Sequence, residues 1–272
     1  MPDTPDGGNL AQDFFIGAGE RDAVSIVRDA SRVALPKRFY ADVTVAEAEA
    51  GYGVRLDGRP VRTPRGTLLA VPTREAAERM AEEWRSEGEV IDPATMPITR
   101  LVNSAIDGVA HELPAVSAEI AKYAGSDLVC YRASDPAGLV AAQARAWDPV
   151  LAFAAERLGA RFRVGEGVVF VPQPPESVEA VAAAIDAIGA SGDAPFRVAA
   201  LHVVTTLTGS ALIALAVHHG ALSPDAAWDA AHVDEDEQMR LWGYDAEALR
   251  RRAKRHEEMQ AACALLKALD HA

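Results

Sequence analysis

Glu235 is the residue of this chain whose position most invites a chemical explanation. Between residues 224 and 242, large side chains recur at spacings of three and four, which places them on one face of a helix. The members of this stripe are Trp228, His232, Glu235, Met239 and Trp242, with Gln238 at its edge. A carboxylate on an apolar face costs free energy unless it is paired or hydrogen-bonded. The spacing therefore predicts that Glu235 has a specific partner.

Three interpretations of Glu235 follow from the residues. It is a buried structural group satisfied by His202, Arg100 or Arg145, or a partner-binding carboxylate at the edge of a groove, or a catalytic acid or base. The third needs a second catalytic group and a pocket, such as a site between two domains with His202 and Asp107. The substitution Glu235→Ala separates the first two, because only the structural group is needed for folding.

Other patterns of catalytic and cofactor sites are missing from the sequence. There is no glycine-rich phosphate loop, no nucleophile elbow and no Cys-x-x-Cys pair. His111 and Glu112 open HELPA rather than a zinc-binding HExxH, and Pro114 interrupts the helix that such a motif needs. The adjacent His218 and His219 point in different directions on a helix, which disfavours a shared metal site. We therefore expect no catalytic residue, no metal and no cofactor.

The composition is that of a soluble globular protein with one large or two medium domains. The 272 residues are 49% hydrophobic and 25% charged, with a formal net charge of −13. This charge argues against a general binder of nucleic acid or of anionic membranes, because both need a basic face. Eight acidic residues and one arginine lie between Ser223 and Glu247, so the charge is concentrated in one segment.

The N-terminal segment and the cysteines predict the compartment. The first residues have no basic region followed by an apolar stretch, and no arginine precedes Arg21, so neither a secretory signal nor a mitochondrial transit peptide is expected. Cys130 and Cys263 lie far apart in apolar surroundings, which predicts reduced core thiols rather than a disulfide framework. We expect a cytoplasmic protein, most simply a bacterial one.

The first third of the chain predicts a mobile arm and then a small α/β domain. Residues 1–35 are expected to form the arm, with a short helix near 22–33, and residues 36–93 the domain. Three or four short strands are predicted between residues 39 and 73, with a type I′ turn at Asp57-Gly58. Thr73 then caps a helix that ends at Gly88.

The rest of the chain, residues 94–272, predicts a larger multihelical domain, which makes the fold class α+β with an antiparallel sheet-plus-helix domain first. Helices are predicted over residues 97–110, 114–124, 136–147, 149–158, 175–188, 196–219, 224–242 and from 245 almost to the end. Residues 161–171 read as a β-hairpin within this helical sequence.

The segment from Phe196 to His219 predicts a central buried helix. No charged residue lies between Val198 and Val217, so hydropathy alone also allows a membrane span. Polar and small residues interrupt the segment, and its flanks have no basic cluster or aromatic anchors. We therefore interpret it as a core helix and expect no stable membrane insertion.

Several segments together resemble one family, the F-type ATP synthase alpha-subunit assembly chaperones of mitochondria and some bacteria. They occur in family order from about Arg38 to Gly243. The matching segments are RFYADVTV, LDGRPVRTPRG, the EEW helix, TMPITRLVNSAIDGV, SDLVCYRA, QARAWDPVL, LTGSALIALAV and VDEDEQMRLWG. One departure follows Trp84, where this chain has RSEGE instead of the family's acidic residue and Gln.

The resemblance implies an ATP-independent assembly factor that is not an enzyme. Such chaperones hold the newly made alpha subunit and shield the surface that it will give to the beta subunit. The family's acidic segment falls on Val233, Asp234, Glu235, Gln238, Trp242 and Gly243. Glu235 matches the glutamate to which the family assigns a functional role. The resemblance therefore predicts a partner-binding site at Glu235, Asp234, Gln238 and Trp242.

Two other functions stay open at this point. One is an enzyme with an interdomain site around Glu235, His202 and Asp107, and the other is an adaptor that binds a different protein through the acidic helix. The expected partner of the first hypothesis is the ATP synthase alpha subunit, and the chain alone is expected to be monomeric.

Overall fold

The structure is a computed structural model that describes residues 35–167 and 169–270. The predicted N-terminal arm, with its short helix, lies outside the described residues apart from Leu35. A small antiparallel sheet comes first and a mostly helical region follows, so the predicted α+β fold class is confirmed. The predicted division at residues 93 and 94 stays a prediction.

The sheet forms as the turn residues predict. Its strands are β1 (Val43–Ala48), β2 (Gly51–Leu56), β3 (Arg59–Pro60) and β4 (Ala70–Val71). β2 pairs antiparallel with each of the other three strands. Asp57 and Gly58 have φ values of 48° and 79°, as a type I′ turn requires. The Asp57 carboxylate also accepts hydrogen bonds from the backbone N–H groups of Ala41 and Asp42, which ties the turn to the start of β1.

Helix α1 (Arg74–Ser86) packs its apolar stripe on this sheet. The Thr73 hydroxyl accepts a hydrogen bond from the backbone N–H of Ala76, so the predicted N-cap is confirmed. Ala77, Met80 and Ala81 have no exposed surface, and α1 contacts β1 and β2. The Thr73 hydroxyl also donates to the carbonyl of Ala268 at 2.8 Å, which joins this helix to the C-terminal end of the chain.

The helical region is built from nine further helices among the described residues. These are α2 (Pro97–Ser104), α3 (Ala110–Lys122), α4 (Ala137–Arg157), α5 (Pro175–Gly189), α6 (Ala194–Thr208), α7 (Ala211–His218), α8 (Pro224–Ala231), α9 (Val233–Trp242) and α10 (Ala246–Leu269). A π-helical turn, Ala105–Val109, joins α2 to α3. The backbone leaves the helical region at Glu112, two residues before Pro114, where the sequence predicts a helix boundary.

The central apolar segment is buried as predicted, but it forms two helices instead of one. Gly209 adopts a left-handed conformation (φ 69°) and ends α6, and Ser210 then caps α7 through its hydroxyl and the N–H of Ile213. The α7 residues from Ala211 to Ala216 have no exposed surface. No helix among the described residues has the length and apolar character to cross a membrane.

Two other sequence predictions were wrong. Helix α4 continues through Pro149, where two helices are predicted, because buried residues on both sides, including Trp147 and Val150, hold it against the core. The described residues of this segment, 161–167 and 169–171, do not form the predicted hairpin. The short strand β6 (Gly165–Glu166) instead pairs in parallel with β5 (Tyr131–Arg132), a partner distant in sequence.

The two cysteines are free and buried in the core, as predicted. Burial raises the pKa of both the Cys130 and the Cys263 thiols to about 12. At neutral pH both groups are therefore protonated thiols, which are poor nucleophiles. Their role in this structure is to pack.

Candidate partner-binding surface

The acidic segment forms two helices rather than the predicted single one, and this changes where its side chains point. His232 leaves the helical conformation (φ −118°, ψ 17°) and separates α8 from α9. Its ring packs on Trp228 at 3.8 Å between centroids, and Nδ1 lies 2.8 Å from the Trp228 carbonyl. Trp228 and His232 are buried, whereas Trp242 is 86% exposed. The predicted stripe is therefore divided between the core and the surface.

Glu235 lies on the surface side of this break. Its side chain is 55% exposed, and Oε2 lies 3.9 Å from Nε2 of the buried His232. Burial lowers the pKa of His232 despite this neighbouring carboxylate, so the imidazole is neutral at neutral pH and gives Glu235 little charge pairing. The interpretation of Glu235 as a buried structural group is wrong. A solvated carboxylate is free to contact another molecule.

Asp234 holds the helix in place. Its Oδ1 accepts a hydrogen bond of 2.6 Å from Nε2 of Gln143, a buried residue of α4. Oε1 of Gln143 accepts from the backbone N–H of Ala133 at 2.8 Å, which fixes the orientation of the amide. Asp234 therefore has a positioning role towards α9, and the sequence did not distinguish this role from direct partner contact.

Helices α9 and α10 are joined by Gly243 and held together by polar contacts. Arg252 of α10 forms an ion pair of 2.5 Å with Asp236 of α9, and its guanidinium lies 5.9 Å from the centre of the Trp228 ring. None of the α9 side chains is fully buried. Because α9 contributes little to the core, its sequence is not explained by packing.

The surface of α9 and the turn after it combines charge with large apolar side chains. We call it the α9 surface and define it by Glu235, Gln238, Leu241, Trp242 and Tyr244. The exposed fractions of Leu241, Trp242 and Tyr244 are 53%, 86% and 72%. Exposed apolar clusters rimmed by polar residues are typical of sites that bind another protein. Leu241 and Tyr244 were not predicted, although the run Leu-Trp-Gly-Tyr at a helix end was the available signal.

The three residues of the alternative enzyme site, Glu235, His202 and Asp107, have separate roles in the structure. The Asp107 carboxylate accepts a hydrogen bond from the Thr63 hydroxyl at 2.7 Å and another from the backbone N–H of Arg65 at 3.0 Å. His202 is buried in α6, and burial lowers its pKa to about 4. Asp107 therefore joins the sheet to the helical region, while Glu235 faces solvent from α9.

No metal centre is evident in the part of the chain that the structure describes. No three or more His, Cys, Asp or Glu side chains among residues 35–167 and 169–270 are arranged to hold an ion. His218 and His219 lie with their ring centroids 5.0 Å apart, and the His219 ring packs on Phe153. Burial lowers the pKa of both rings, so they are neutral at neutral pH.

Fold and surface together define an α+β protein with an exposed candidate surface of mixed apolar and acidic character. A family model described as ATP12 chaperone protein matches residues 37–155. The chain is also similar to a candidate chaperone from Agrobacterium tumefaciens, with 45% identity, coverage of 96% of each chain and a TM-score of 0.82.

A second solved structure, Atp12 from Paracoccus denitrificans, is 40% identical to this chain. The match covers 86% of this chain and 98% of the Paracoccus chain, with a TM-score of 0.78. A variant of the same Paracoccus protein matches with 39% identity and a TM-score of 0.78. This chain belongs to the ATP12 chaperone family.

Proposed function

We propose that this chain is an ATP-independent assembly chaperone for the ATP synthase alpha subunit. It binds the newly made subunit and shields the surface that alpha will give to beta, until the catalytic head assembles. It acts in the cytoplasm as a monomer, without a cofactor, and it is not an enzyme. Membership in the ATP12 chaperone family and the sequence resemblance support this class of function.

The observation that carries the proposal is the exposed aromatic end of α9. An indole that is 86% exposed is costly in water. The exposed Leu241 and Tyr244 lie within two positions of Trp242 in the sequence, and the Glu235 carboxylate lies about two helical turns earlier on α9. A subunit surface destined for another subunit has an apolar centre with a polar rim. Trp242 is suited to fill its apolar centre, and Glu235 and Gln238 are suited to meet its rim.

The same geometry suits release. Asp234 and Arg252 hold α9 through polar contacts, so the binding element is presented in a defined orientation without being part of the core. A chaperone must lose its client to the final partner, which requires an affinity lower than that of the assembled interface. A single helix with a small apolar end meets that requirement better than a broad apolar face.

Co-expression tests the proposal. The chain is produced with the alpha subunit, and separately with the beta subunit, of its own organism, and the lysates are separated by size-exclusion chromatography. We expect a stoichiometric complex with alpha and none with beta, without added nucleotide. If alpha remains aggregated and neither subunit co-elutes, the proposal is wrong.

Glu235→Ala is the matching variant. Because the carboxylate is 55% exposed, we expect an unchanged melting temperature and at least about a tenfold loss of alpha binding. Glu47→Ala, at an exposed position of β1, removes the same charge on the sheet and should leave binding intact. Equal binding by the two variants would exclude a role for Glu235 in client contact.

A further inference from the structure

Residues 161–167 and 169–174 belong to the loop between α4 and α5, and side-chain hydrogen bonds hold the two ends of this loop together. The Ser177 hydroxyl accepts from the backbone N–H of Arg161 at 2.9 Å and donates to its carbonyl at 2.8 Å. Gln173 does the same to Arg163, with Oε1 accepting at 2.8 Å and Nε2 donating at 2.9 Å. These side chains bond the backbone N–H and C=O groups that a paired strand would otherwise bond, so the conformation of the loop is fixed at both ends.

The loop is also attached to the body of the protein at its middle. Strand β6 pairs with β5, and the N–H of Gly167 donates to the carbonyl of Arg132 at 2.9 Å. A Cβ atom at Gly165 would lie 2.2 Å from Cγ2 of Val171, so the strand and the returning limb of the loop are in close contact. The loop is therefore a built element of the fold.

Among its described residues, the loop exposes three large apolar side chains. Val164, Val169 and Phe170 are 48%, 74% and 63% exposed. A loop that is tied at three places but leaves an aromatic ring in water gains nothing for folding from that ring. Rigid presentation of an aromatic side chain is what a binding site needs, because little conformational entropy is then lost on association.

The loop is connected to the first turn of α9 through one stretch of α4. Arg132 of β5 forms an ion pair of 2.8 Å with Asp148, and the next residue, Ala133, donates to Gln143. Gln143 in turn donates to Asp234 of α9. Residues 143–148 of α4 therefore support both elements, and a client of the size of a protein subunit can span from α9 to the loop.

The charges of the two elements are opposite. The loop has two exposed arginines, Arg161 and Arg163, against one exposed acid, Glu166, whereas α9 has four consecutive acidic residues, Asp234–Glu237, and one arginine. A partner that covers both elements would have an apolar centre, an acidic border against the loop and a basic border against α9. This polarity also fixes the orientation of the partner.

We propose that the Phe170 loop, residues 161–167 and 169–174, is a second contact for the alpha subunit held by the α9 surface. The inference rests on the function proposed above. Phe170 and Val169 meet an apolar patch of the client, and the Gln173 and Ser177 hydrogen bonds set the loop in its binding shape. Two contacts on one client fix its orientation, which one helix end does not do.

Photo-crosslinking tests this contact directly. A photoreactive phenylalanine analogue is incorporated at position 170, and in a control at position 39, where Phe39 is 72% exposed near the sheet. In the co-expressed complex we expect an adduct with alpha from position 170 and none from position 39. No adduct from position 170 would overturn the proposal.

Substitutions measure the contribution of the loop. Phe170→Ser is expected to weaken alpha binding by about tenfold or more, and Phe39→Ser to leave it unchanged. Gln173→Ala keeps Phe170 but removes the hydrogen bonds to Arg163, so we expect a loss of about threefold to tenfold with an unchanged melting temperature. Wild-type binding by Phe170→Ser would contradict the proposal.

The outcomes separate this inference from the proposed function. If the wild-type chain does not bind alpha, the proposed function fails and this inference fails with it. If Trp242→Ala weakens binding while Phe170→Ser does not, the function stands and the loop contact is wrong. A position-170 adduct with a second copy of this chain, together with concentration-dependent dimerisation, would assign the loop to self-association and overturn the proposal.

Discussion

At the scale of single residues, neighbouring positions of the acidic segment have different physical roles. Asp234 and Glu235 are adjacent, yet one is bonded to the buried Gln143 and the other is 55% exposed. Substitution at the first affects folding through a buried amide, and substitution at the second affects a solvated group. The two effects are separable by experiment.

Asp234→Ala should destabilise the fold. The Nε2 group of Gln143 would lose its acceptor while its other end remains bonded to Ala133, which costs about 1–3 kcal/mol for an unsatisfied buried donor. Urea unfolding measures this difference. Asp229→Ala, at an exposed position of α8, is the matched control and should change stability by less than about 0.5 kcal/mol. Equal stability of the two variants would contradict the positioning role.

Trp242→Ala, unlike Asp234→Ala, should weaken alpha binding and leave stability unchanged. The indole is 86% exposed, so its removal should leave the melting temperature within about 2 °C of wild type. Alpha binding should fall by about tenfold or more if the indole fills the client's apolar patch. Titration of purified alpha subunit with each variant gives the ratio of the two dissociation constants. A large drop in melting temperature would assign Trp242 to folding instead.

At the scale of elements, the central apolar segment depends on one glycine. Gly209 ends α6 in the left-handed region and lets Ser210 cap α7, so the chain turns within the core without leaving helix ends unsatisfied. A carboxylate also supports this turn, because the buried Asp127 accepts a hydrogen bond from the backbone N–H of Leu212 at 3.1 Å.

Gly209→Ala should therefore destabilise the protein by about 1–2 kcal/mol, the cost of a side chain in the left-handed region. Gly138→Ala is the control, since a Cβ there meets no atom within 4 Å and Gly138 lies in the first turns of α4. We expect that variant to be as stable as wild type or more stable by up to about 1 kcal/mol. Chemical denaturation of both variants is the measurement. A loss of stability in Gly209→Ala alone indicates backbone strain at position 209, and an equal loss in both variants indicates a general effect of the added methyl group.

At the scale of the whole molecule, buried titratable groups set the pH dependence of stability. Burial lowers the pKa of His202 and of His218 to about 4, so both rings stay neutral in the folded protein while they protonate in the unfolded chain. The unfolded state then binds more protons as the pH falls below the ordinary histidine pKa, and stability is lost. Burial raises the pKa of Asp127 to about 6, which has the opposite effect, because the folded state takes up that proton first.

Burial also lowers the pKa of His219 and His232 and raises that of Glu83. Among the described residues, four histidines against two carboxylates predict a net loss of stability between about pH 6.5 and pH 5, at up to about 1.4 kcal/mol per pH unit for each uncompensated group. Urea unfolding across this range measures the slope. His202→Asn removes one titrating group and should reduce the slope. NMR titration of the His202 ring in the wild-type protein is the independent measurement, and a ring pKa near the ordinary value would contradict the prediction.

Local features of the fold were determined by the sequence itself. The Asp57-Gly58 turn and the N-cap at Thr73 are where the sequence predicts them. Each depends on groups within a few positions of one another, so residue type and spacing are sufficient. The acidic segment was also located as the candidate site, although its use in client binding remains a prediction.

Only the tertiary structure decided which candidate residues are exposed. The helix breaks at His232 because its ring packs on Trp228, and α9 is held by Gln143, about 90 positions earlier in the chain. Helical spacing assumes an unbroken helix, so it placed Glu235 and Trp242 on one apolar face with Trp228. Helix α4 likewise passes through Pro149, because burial on both sides outweighs the roughly 3 kcal/mol cost of an interior proline. Contacts between distant segments determine these outcomes, and periodicity contains no information about them.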